Sequence, residues 1–140
     1  MFGYSLTHDQ ERAVLELLGF VATFDRDVTA DEKQYVVELS HDFNASADGI
    51  FEADPETTLE SVCAAFQDPT ARRLALVYAI QLGFVDGLYD EEEWLGVRNI
   101  GDALNIPDRD VADLEDWVHR GLEWEKEGRK LLDLPSKWAV

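Results

Sequence analysis

The sequence predicts an all-α fold, a compact bundle of about seven helices that forms a single domain over residues 1–140. Apolar residues recur three and four positions apart, capping signals precede the successive apolar stretches, and one helix-loop-helix pattern occurs twice. No stretch alternates between apolar and polar residues for long enough to predict a strand. A chain of 140 residues buries roughly 68 to 70 % of its unfolded surface, so one core suffices.

Local capping signals place the helices in the first half of the chain. Two capping boxes, a serine cap and an Asp-Pro pair each open an apolar stretch. These signals are Thr7–Gln10, Thr29–Glu32, Ser46 and Asp54-Pro55. The helices that they predict span about 8–24, 29–43, 46–51 and 54–66.

The most apolar stretch, residues 71–85, predicts the central helix of the bundle. A third capping box, Asp90–Glu93, opens the helix that follows it. A long last helix is expected over about 108–132. Its apolar spacing predicts that Trp117 is mostly buried and that Trp124 is less buried.

An internal repeat organises the chain. The residues around Asp25 return around Asp86, 61 positions later, and the apolar positions of the flanking helices match at the same offset. The two units cover about 13–46 and 74–107. Neither unit can bury its apolar stripe alone, so we expect pseudo-symmetric helix-loop-helix repeats that pack, first helix against first helix, about an approximate two-fold axis.

The composition restricts the possible partners. The chain has 30 Asp and Glu against 12 Lys and Arg, a formal net charge of −18 at pH 7. Such a field repels nucleic acid and favours cations or basic proteins, so we expect no direct nucleic-acid binding. No run approaches about 18 apolar residues, and the first residues lack the basic and apolar regions of a signal peptide. We therefore expect a cytoplasmic protein that is not an integral membrane protein.

No residue pattern points to catalysis. Cys63 lies in an apolar segment without electropositive neighbours, which indicates a small buried hydrophobe in a reducing compartment. The serines lie in no nucleophile elbow, and the three histidines lack zinc-site spacing. The sequence therefore predicts a protein that is not an enzyme.

The two acidic loops are the candidate metal sites. Each has an acid where the first helix ends and a glutamate seven residues later, and hard cations such as Ca²⁺ and Mg²⁺ prefer several such oxygen ligands. The candidate ligands are Asp25, Asp27 and Glu32 in the first loop and Asp86, Asp90 and Glu93 in the second. An EF-hand is rejected, because its twelfth position falls on Val36 and on Val97.

Helix capping is the alternative explanation of the same residues. Thr29 with Glu32 and Asp90 with Glu93 satisfy backbone donors whether or not a metal binds. Capping does not explain Asp25 and Asp86, which end a helix where the dipole disfavours negative charge. Two carboxylates about 5 Å apart repel by roughly 3 kcal/mol, which favours a cation between them.

At these residues the chain resembles the tellurite-resistance TerB family and its TerB-like relatives. The resemblance rests on Gly19–Asp25 running into Val28 and Glu32, and on Asp86–Glu93, and it spans roughly residues 9–115. It implies an all-helical, non-enzymatic domain that binds a divalent cation and acts in responses to tellurite, chemical stress or phage. The implied partners are proteins, including membrane-associated Ter-type proteins.

The chain departs from the family pattern in the first loop. Arg26 stands where the family usually has glycine, and Thr29 where it has aspartate, so that loop loses an acid and gains a cation. In the second loop Leu88 replaces an acid, but Asp86, Asp90 and Glu93 match. The second loop is therefore the better candidate site.

The net charge of −18 also agrees with a different class of function. An acidic interaction or inhibitor protein, such as a nucleic-acid mimic or an immunity protein, would block a basic partner. This reading requires that the acids form one continuous face. The acids concerned are Asp48, Glu52, Asp54, Glu56, Glu60, Asp108, Asp110, Asp113, Glu115 and Asp116. A helical scaffold whose loops are only caps is the third reading.

Overall fold

The computed structural model of the chain describes residues 4–23, 28–52, 56–85 and 89–135. Within these ranges the protein is all-helical, with six helices and no strand, which confirms the predicted fold class. The helices are α1 (His8–Thr23), α2 (Ala30–Asp42), α3 (Leu59–Cys63), α4 (Pro69–Phe84), α5 (Glu91–Ala103) and α6 (Asp108–Leu131). None of these described helices has both the length and the apolar character needed to cross a membrane.

Helices α1 and α4 pack against each other at the centre of the molecule, as the sequence predicted. Leu17 and Leu18 of α1 and Leu76 and Ile80 of α4 are completely buried. Helix α1 also contacts α2, α3 and α5, whereas α4 contacts α5 and α6. Truncating one of these leucines to alanine would cost about 2 to 5 kcal/mol, because the cavity closes only in part.

Side-chain caps fix where several helices begin, α2, α4 and α5 among them. Thr29 and Glu32 form the predicted capping box at the start of α2. Asp68 caps α4 by accepting the backbone N–H of Ala71 at 2.7 Å, and Pro69 follows it in the first turn. Asp90 caps α5. These oxygens satisfy N–H groups that have no partner inside the helix.

Helices α2, α5 and α6 end in the same way, although none ends at a glycine. Asn44, Asn105 and Asp133 have positive φ angles of 52°, 58° and 56°. In each case the next residue donates its N–H to the carbonyl oxygen five positions back, at 2.8 to 2.9 Å. This is the Schellman arrangement, in which a left-handed residue turns the chain out of the helix.

Residues 46–51 contain turns, so the short helix expected there is wrong. Gly49 has a φ of 77°, which a right-handed helix does not allow. A Cβ atom at Gly19 of α1 would overlap the carbonyl oxygen of Ile50. The segment therefore lies against α1 through a backbone approach that only glycine permits.

The helix expected over 54–66 is much shorter in the described residues. Asp54 and Pro55 lie outside them, and α3 covers only Leu59–Cys63 after the N-cap Thr58. Asp68 must be extended because Pro69 follows it, and its φ and ψ are −96° and 154°. A helix begun at Thr58 therefore cannot continue into α4.

Helix α6 buries one side of its N-terminal half. Val111 and Val118, seven positions apart on one face, are its buried residues. Trp117 is 40 % exposed, so the prediction that it is mostly buried is wrong, because Val118 occupies the inward position. Trp124 is 78 % exposed, which confirms the predicted order of the two tryptophans.

Candidate functional site

The structure describes half of the predicted ligands. Glu32, Asp90 and Glu93 lie in the described residues, whereas Asp25, Asp27 and Asp86 lie outside them. Among the described residues, no three His, Cys, Asp or Glu side chains form a group that could hold a metal ion. The described ligands by themselves therefore make no metal centre.

The first loop leads into a capping box that involves a buried acid. The Thr29 hydroxyl oxygen accepts the Glu32 backbone N–H at 3.1 Å, and the Glu32 carboxylate accepts the Thr29 backbone N–H at 3.0 Å. Glu32 is only 4 % exposed. The capping role predicted from the sequence is confirmed here, and it engages one carboxylate oxygen of Glu32.

The second loop places a buried acid at the equivalent position. The Asp90 carboxylate accepts the Glu93 backbone N–H at 3.0 Å, so Asp90 caps α5. Asp90 is exposed, whereas Glu93 is 9 % exposed. A Cβ atom on Gly83 would lie 3.7 Å from Glu93 Oε2, so this oxygen lies beside the last turn of α4. The same Cβ atom would lie 2.9 Å from Cε2 of Tyr89, so the absence of a side chain at position 83 leaves room for the Tyr89 ring.

A polar network joins the second loop to α5 and α6. The Tyr89 hydroxyl donates to Glu115 Oε2 at 2.5 Å, and Arg98 Nη2 lies 2.7 Å from Glu115 Oε1. Arg98 Nη1 donates to the carbonyl oxygen of Asp108 at 3.1 Å. The side chains of Arg98 and Glu115 are only 16 % and 12 % exposed. Charge-assisted bonds of this kind, shielded from water, hold the loop residue Tyr89 in one position.

Aromatic rings surround the same network. The rings of Phe84 and Tyr89 stack with centroids 4.2 Å apart, and His119 stacks on Phe84 at 5.5 Å. The Arg98 guanidinium lies 4.7 Å from the ring centroid of Trp94. These contacts place apolar rings against Tyr89 and Arg98, which strengthens the electrostatic interactions of both side chains with Glu115.

Tyr89 acts in this site as a neutral hydrogen-bond donor. Burial, with the hydrogen bond to Glu115, raises the pKa of Tyr89 far above its ordinary value. The hydroxyl therefore keeps its proton at neutral pH and can neither ligate a metal as phenolate nor act as a base. Its role is to orient the Glu115 carboxylate.

Sequence reasoning missed this network, and the repeat contains the signal that would have found it. Val28 and Val37 occupy the first-unit positions equivalent to Tyr89 and Arg98. In the second unit a tyrosine and an arginine, both able to form hydrogen bonds, therefore replace two valines. Such departures from a repeat indicate a contact that the other unit does not make.

A cavity of about 290 Å³ lies beside the first unit, between α1 and the turns after α2. Three of its lining residues are acids, which gives its rim a negative field that favours cations. The lining residues are Glu16, Gly19, Phe20, Thr23, Asp48, Gly49, Ile50, Glu52 and Thr57. None of the three predicted ligands that the structure describes, Glu32, Asp90 and Glu93, lines this cavity.

Comparison of the chain with protein-family models, with curated proteins and with solved structures gives no match. The resemblance to TerB-like proteins therefore rests on the repeated loop residues. Any function must be argued from the geometry of the two loops.

Proposed function

We propose that this chain is a non-enzymatic, TerB-like module that binds a divalent cation, Ca²⁺ or Mg²⁺, and acts in a stress response through protein partners. The observation that carries the proposal is the equivalence of two buried glutamates. Glu32 and Glu93 are 4 % and 9 % exposed, and each is the third residue of the helix that follows an acidic loop.

The repeat supports this equivalence beyond the acids themselves. Shifting α1 by 61 positions reproduces the bounds of α4, and the same shift takes α2 onto α5. The left-handed Asn44 and Asn105 are related by the same shift. We infer that the two helix pairs are pseudo-symmetric copies of one unit, each with its acidic loop at the same place.

A bound cation is one way to stabilise the charges of the two buried carboxylates. A buried ionised carboxylate is costly unless hydrogen bonds or a positive charge stabilise it. One carboxylate oxygen of Glu32 accepts the backbone N–H of Thr29. An exposed glutamate could accept this hydrogen bond equally well, so capping does not explain why Glu32 is buried. A cation held by the loop would stabilise the charge of a glutamate that lies inside the protein.

The second loop is the stronger candidate within this proposal. Asp86, Asp90 and Glu93 are all acids, whereas the first loop has Arg26 and a threonine at position 29. Asp90 caps α5 through Oδ1, and its second carboxylate oxygen takes no part in that bond. The site would use carboxylate and backbone oxygens, which suit Ca²⁺ and Mg²⁺ better than softer metals.

The resemblance to TerB-like proteins also supports a proposal for the partners and the biological role of the chain. Membrane-associated Ter-type proteins are the proposed partners, in the cytoplasm, in resistance to tellurite, other chemical stress or phage. The acidic surface supports binding to proteins rather than directly to nucleic acid.

The acidic-inhibitor alternative has less support. Asp110 pairs with Arg73 at 3.2 Å, and Glu115 pairs with Arg98 at 2.7 Å. These two acids belong to the face that a mimic would present. Their charges are compensated within the protein, which weakens the continuous negative face that this alternative requires.

The proposal is tested by the metal dependence of stability. A cation at a hundredfold excess over its Kd stabilises the folded state by about 2.7 kcal/mol, so the melting temperature should rise between EDTA and millimolar Ca²⁺ or Mg²⁺. Asp86→Asn should lose this rise. Asp113→Asn removes the same charge at an exposed position of α6 and should keep it.

A second variant separates metal binding from capping. Asparagine caps helices about as well as aspartate, so Asp90→Asn should leave the stability in EDTA almost unchanged. If Asp90 binds the cation, this variant should nevertheless weaken binding in calorimetric titration. A wild-type protein that shows no binding heat and no metal-dependent melting shift would refute the proposed function.

A further inference from the structure

The C-terminal half of α6 contacts the core through the half-buried Leu122 but has no fully buried residue. The buried residues of the helix, Val111 and Val118, both lie in its N-terminal half. From residue 119 to residue 135, where the described chain ends, no residue is buried. At 1.5 Å per residue, the last thirteen positions of the helix extend for about 20 Å.

A regular stripe runs along this helix beside its buried face. Its members alternate three and four positions apart, the spacing of a two-helix seam. They are Leu114, Trp117, Gly121, Trp124, Gly128 and Leu131. Trp124 and Leu131 are each 78 % exposed, and a Cβ atom on Gly121 or Gly128 would meet nothing within 4 Å. The stripe therefore alternates large side chains with open positions.

We propose that a second copy of this chain docks on this stripe, with the two α6 helices antiparallel. When Trp124 lies opposite Gly121 of the second copy, Trp117 lies opposite Gly128 and Leu114 lies opposite Leu131. Every indole ring then fills the space above a glycine, as a knob fills a hole in a coiled coil. The contact is two-fold symmetric, so each pairing occurs twice.

Charge supports a second copy as the occupant. The chain carries −18, but residues 119–133 contain four Lys or Arg and four Asp or Glu. This segment has no net charge, so it repels a second copy less than the chain's charge of −18 would. Arg120 and Glu127 lie on one flank of the stripe, and the antiparallel arrangement places Arg120 of each copy beside Glu127 of the other. These are the flanking positions that select orientation in helix pairs.

The existing contacts of Arg120 do not oppose this pairing. Arg120 binds Asp116 of its own helix at 3.0 Å, and both side chains are 68 % exposed. An exposed pair of this kind contributes only about 0.2 to 1 kcal/mol, so Arg120 can exchange it for Glu127 of the second copy.

The expected contact is small. The exposed parts of the four tryptophans, 78 % of each Trp124 and 40 % of each Trp117, amount to about 350 to 600 Å². Stable specific interfaces begin at about 1,200 Å², so we expect a weak dimer that forms in the micromolar range and dissociates on dilution.

Sedimentation velocity over about 1 to 500 µM, in EDTA so that metal binding has no part, tests the proposal. Wild type should change from monomer to dimer with concentration. Trp124→Ala should weaken association at least about tenfold while keeping the melting temperature, because the side chain is 78 % exposed in the monomer. Gly121→Leu, which fills the space opposite Trp124, should do the same.

Charge reversal tests the orientation. Arg120→Glu alone and Glu127→Arg alone each put like charges together and should remain monomeric, whereas an equimolar mixture should form mixed dimers. Lys126→Glu changes the same charge on the opposite side of the helix and should dimerise like wild type. A wild type that stays monomeric throughout, dimers that ignore Trp124→Ala, or a mixture that stays monomeric would each overturn the proposal.

Discussion

Replacing Arg98 with methionine should destabilise the protein by about 2 to 4 kcal/mol. The substitution keeps an apolar stem of similar length and removes the guanidinium. The variant would lose two contacts of the guanidinium, the ion pair with Glu115 at 2.7 Å and the hydrogen bond to the carbonyl oxygen of Asp108 at 3.1 Å. The Glu115 carboxylate would remain largely buried, with the Tyr89 hydroxyl as a neutral donor.

The burial of the pair sets this magnitude. Removing one partner from a fully buried ion pair costs about 3 to 5 kcal/mol, whereas an exposed pair contributes about 0 to 1 kcal/mol. The side chains of Arg98 and Glu115 are 16 % and 12 % exposed, so the cost should lie nearer the buried limit. At about 4 °C per kcal/mol, the melting temperature should fall by about 8 to 16 °C.

Urea unfolding followed by far-ultraviolet circular dichroism measures the effect. Arg120→Met is the matched control, because the Arg120–Asp116 pair is 68 % exposed on both sides, and it should cost under about 0.5 kcal/mol. Adding Glu115→Gln to Arg98→Met should restore about 1 to 2 kcal/mol, because it removes the buried charge and keeps an acceptor for Tyr89. Equal losses in Arg98→Met and Arg120→Met would refute the reasoning that burial strengthens the pair.

Three further predictions concern single groups. Burial raises the pKa of the Cys63 thiol to about 11, so a disulfide reagent near pH 8 should modify the native protein at least about a hundredfold more slowly than the urea-unfolded chain; rapid native labelling contradicts this. Burial raises the pKa of Tyr35 and Tyr89 above the ordinary 10.0, so the folded protein keeps protons that the unfolded chain loses. Above about pH 10 the two tyrosines should therefore lower the stability by up to about 2.7 kcal/mol per pH unit, in addition to the loss that Cys63 causes above about pH 9, and the fall should be less steep in Tyr89→Phe; urea unfolding at about pH 9 and pH 11 that gives equal values would exclude it. Asn105 has a φ of 58°, so Asn105→Ala should lower stability by about 1 kcal/mol and Asn105→Gly should not; thermal melting that ranks them equal argues against a left-handed cap.

Most helix boundaries were predictable because local groups determine them. The expected helix over 29–43 is observed as Ala30–Asp42, and its capping box closes within four residues. The same holds for Asp68 and Pro69 at the start of α4. The helix over 46–51 failed because Gly49 and the contact of Ile50 with Gly19 outweigh a serine cap, and that contact joins residues far apart in sequence.

The candidate site was predictable only in its local part. The caps formed by Thr29 and Asp90 follow from spacing, and the structure contains both. The burial of Glu32 and Glu93 does not follow from spacing, because a capping glutamate can equally lie at the surface. Whether Asp25 and Asp86 complete a cation site stays a prediction.

The sequence by itself determined the helical class, the order of the helices and the residues that begin and end most of them. Each of these depends on hydrogen bonds and apolar spacing within about one or two turns. Only the tertiary structure decided that Tyr89, Arg98 and Glu115 would meet, and that Trp117 would remain 40 % exposed. The physical reason is that burial and long-range pairing depend on which helix faces lie opposite each other, and this is set by the packing of the whole core.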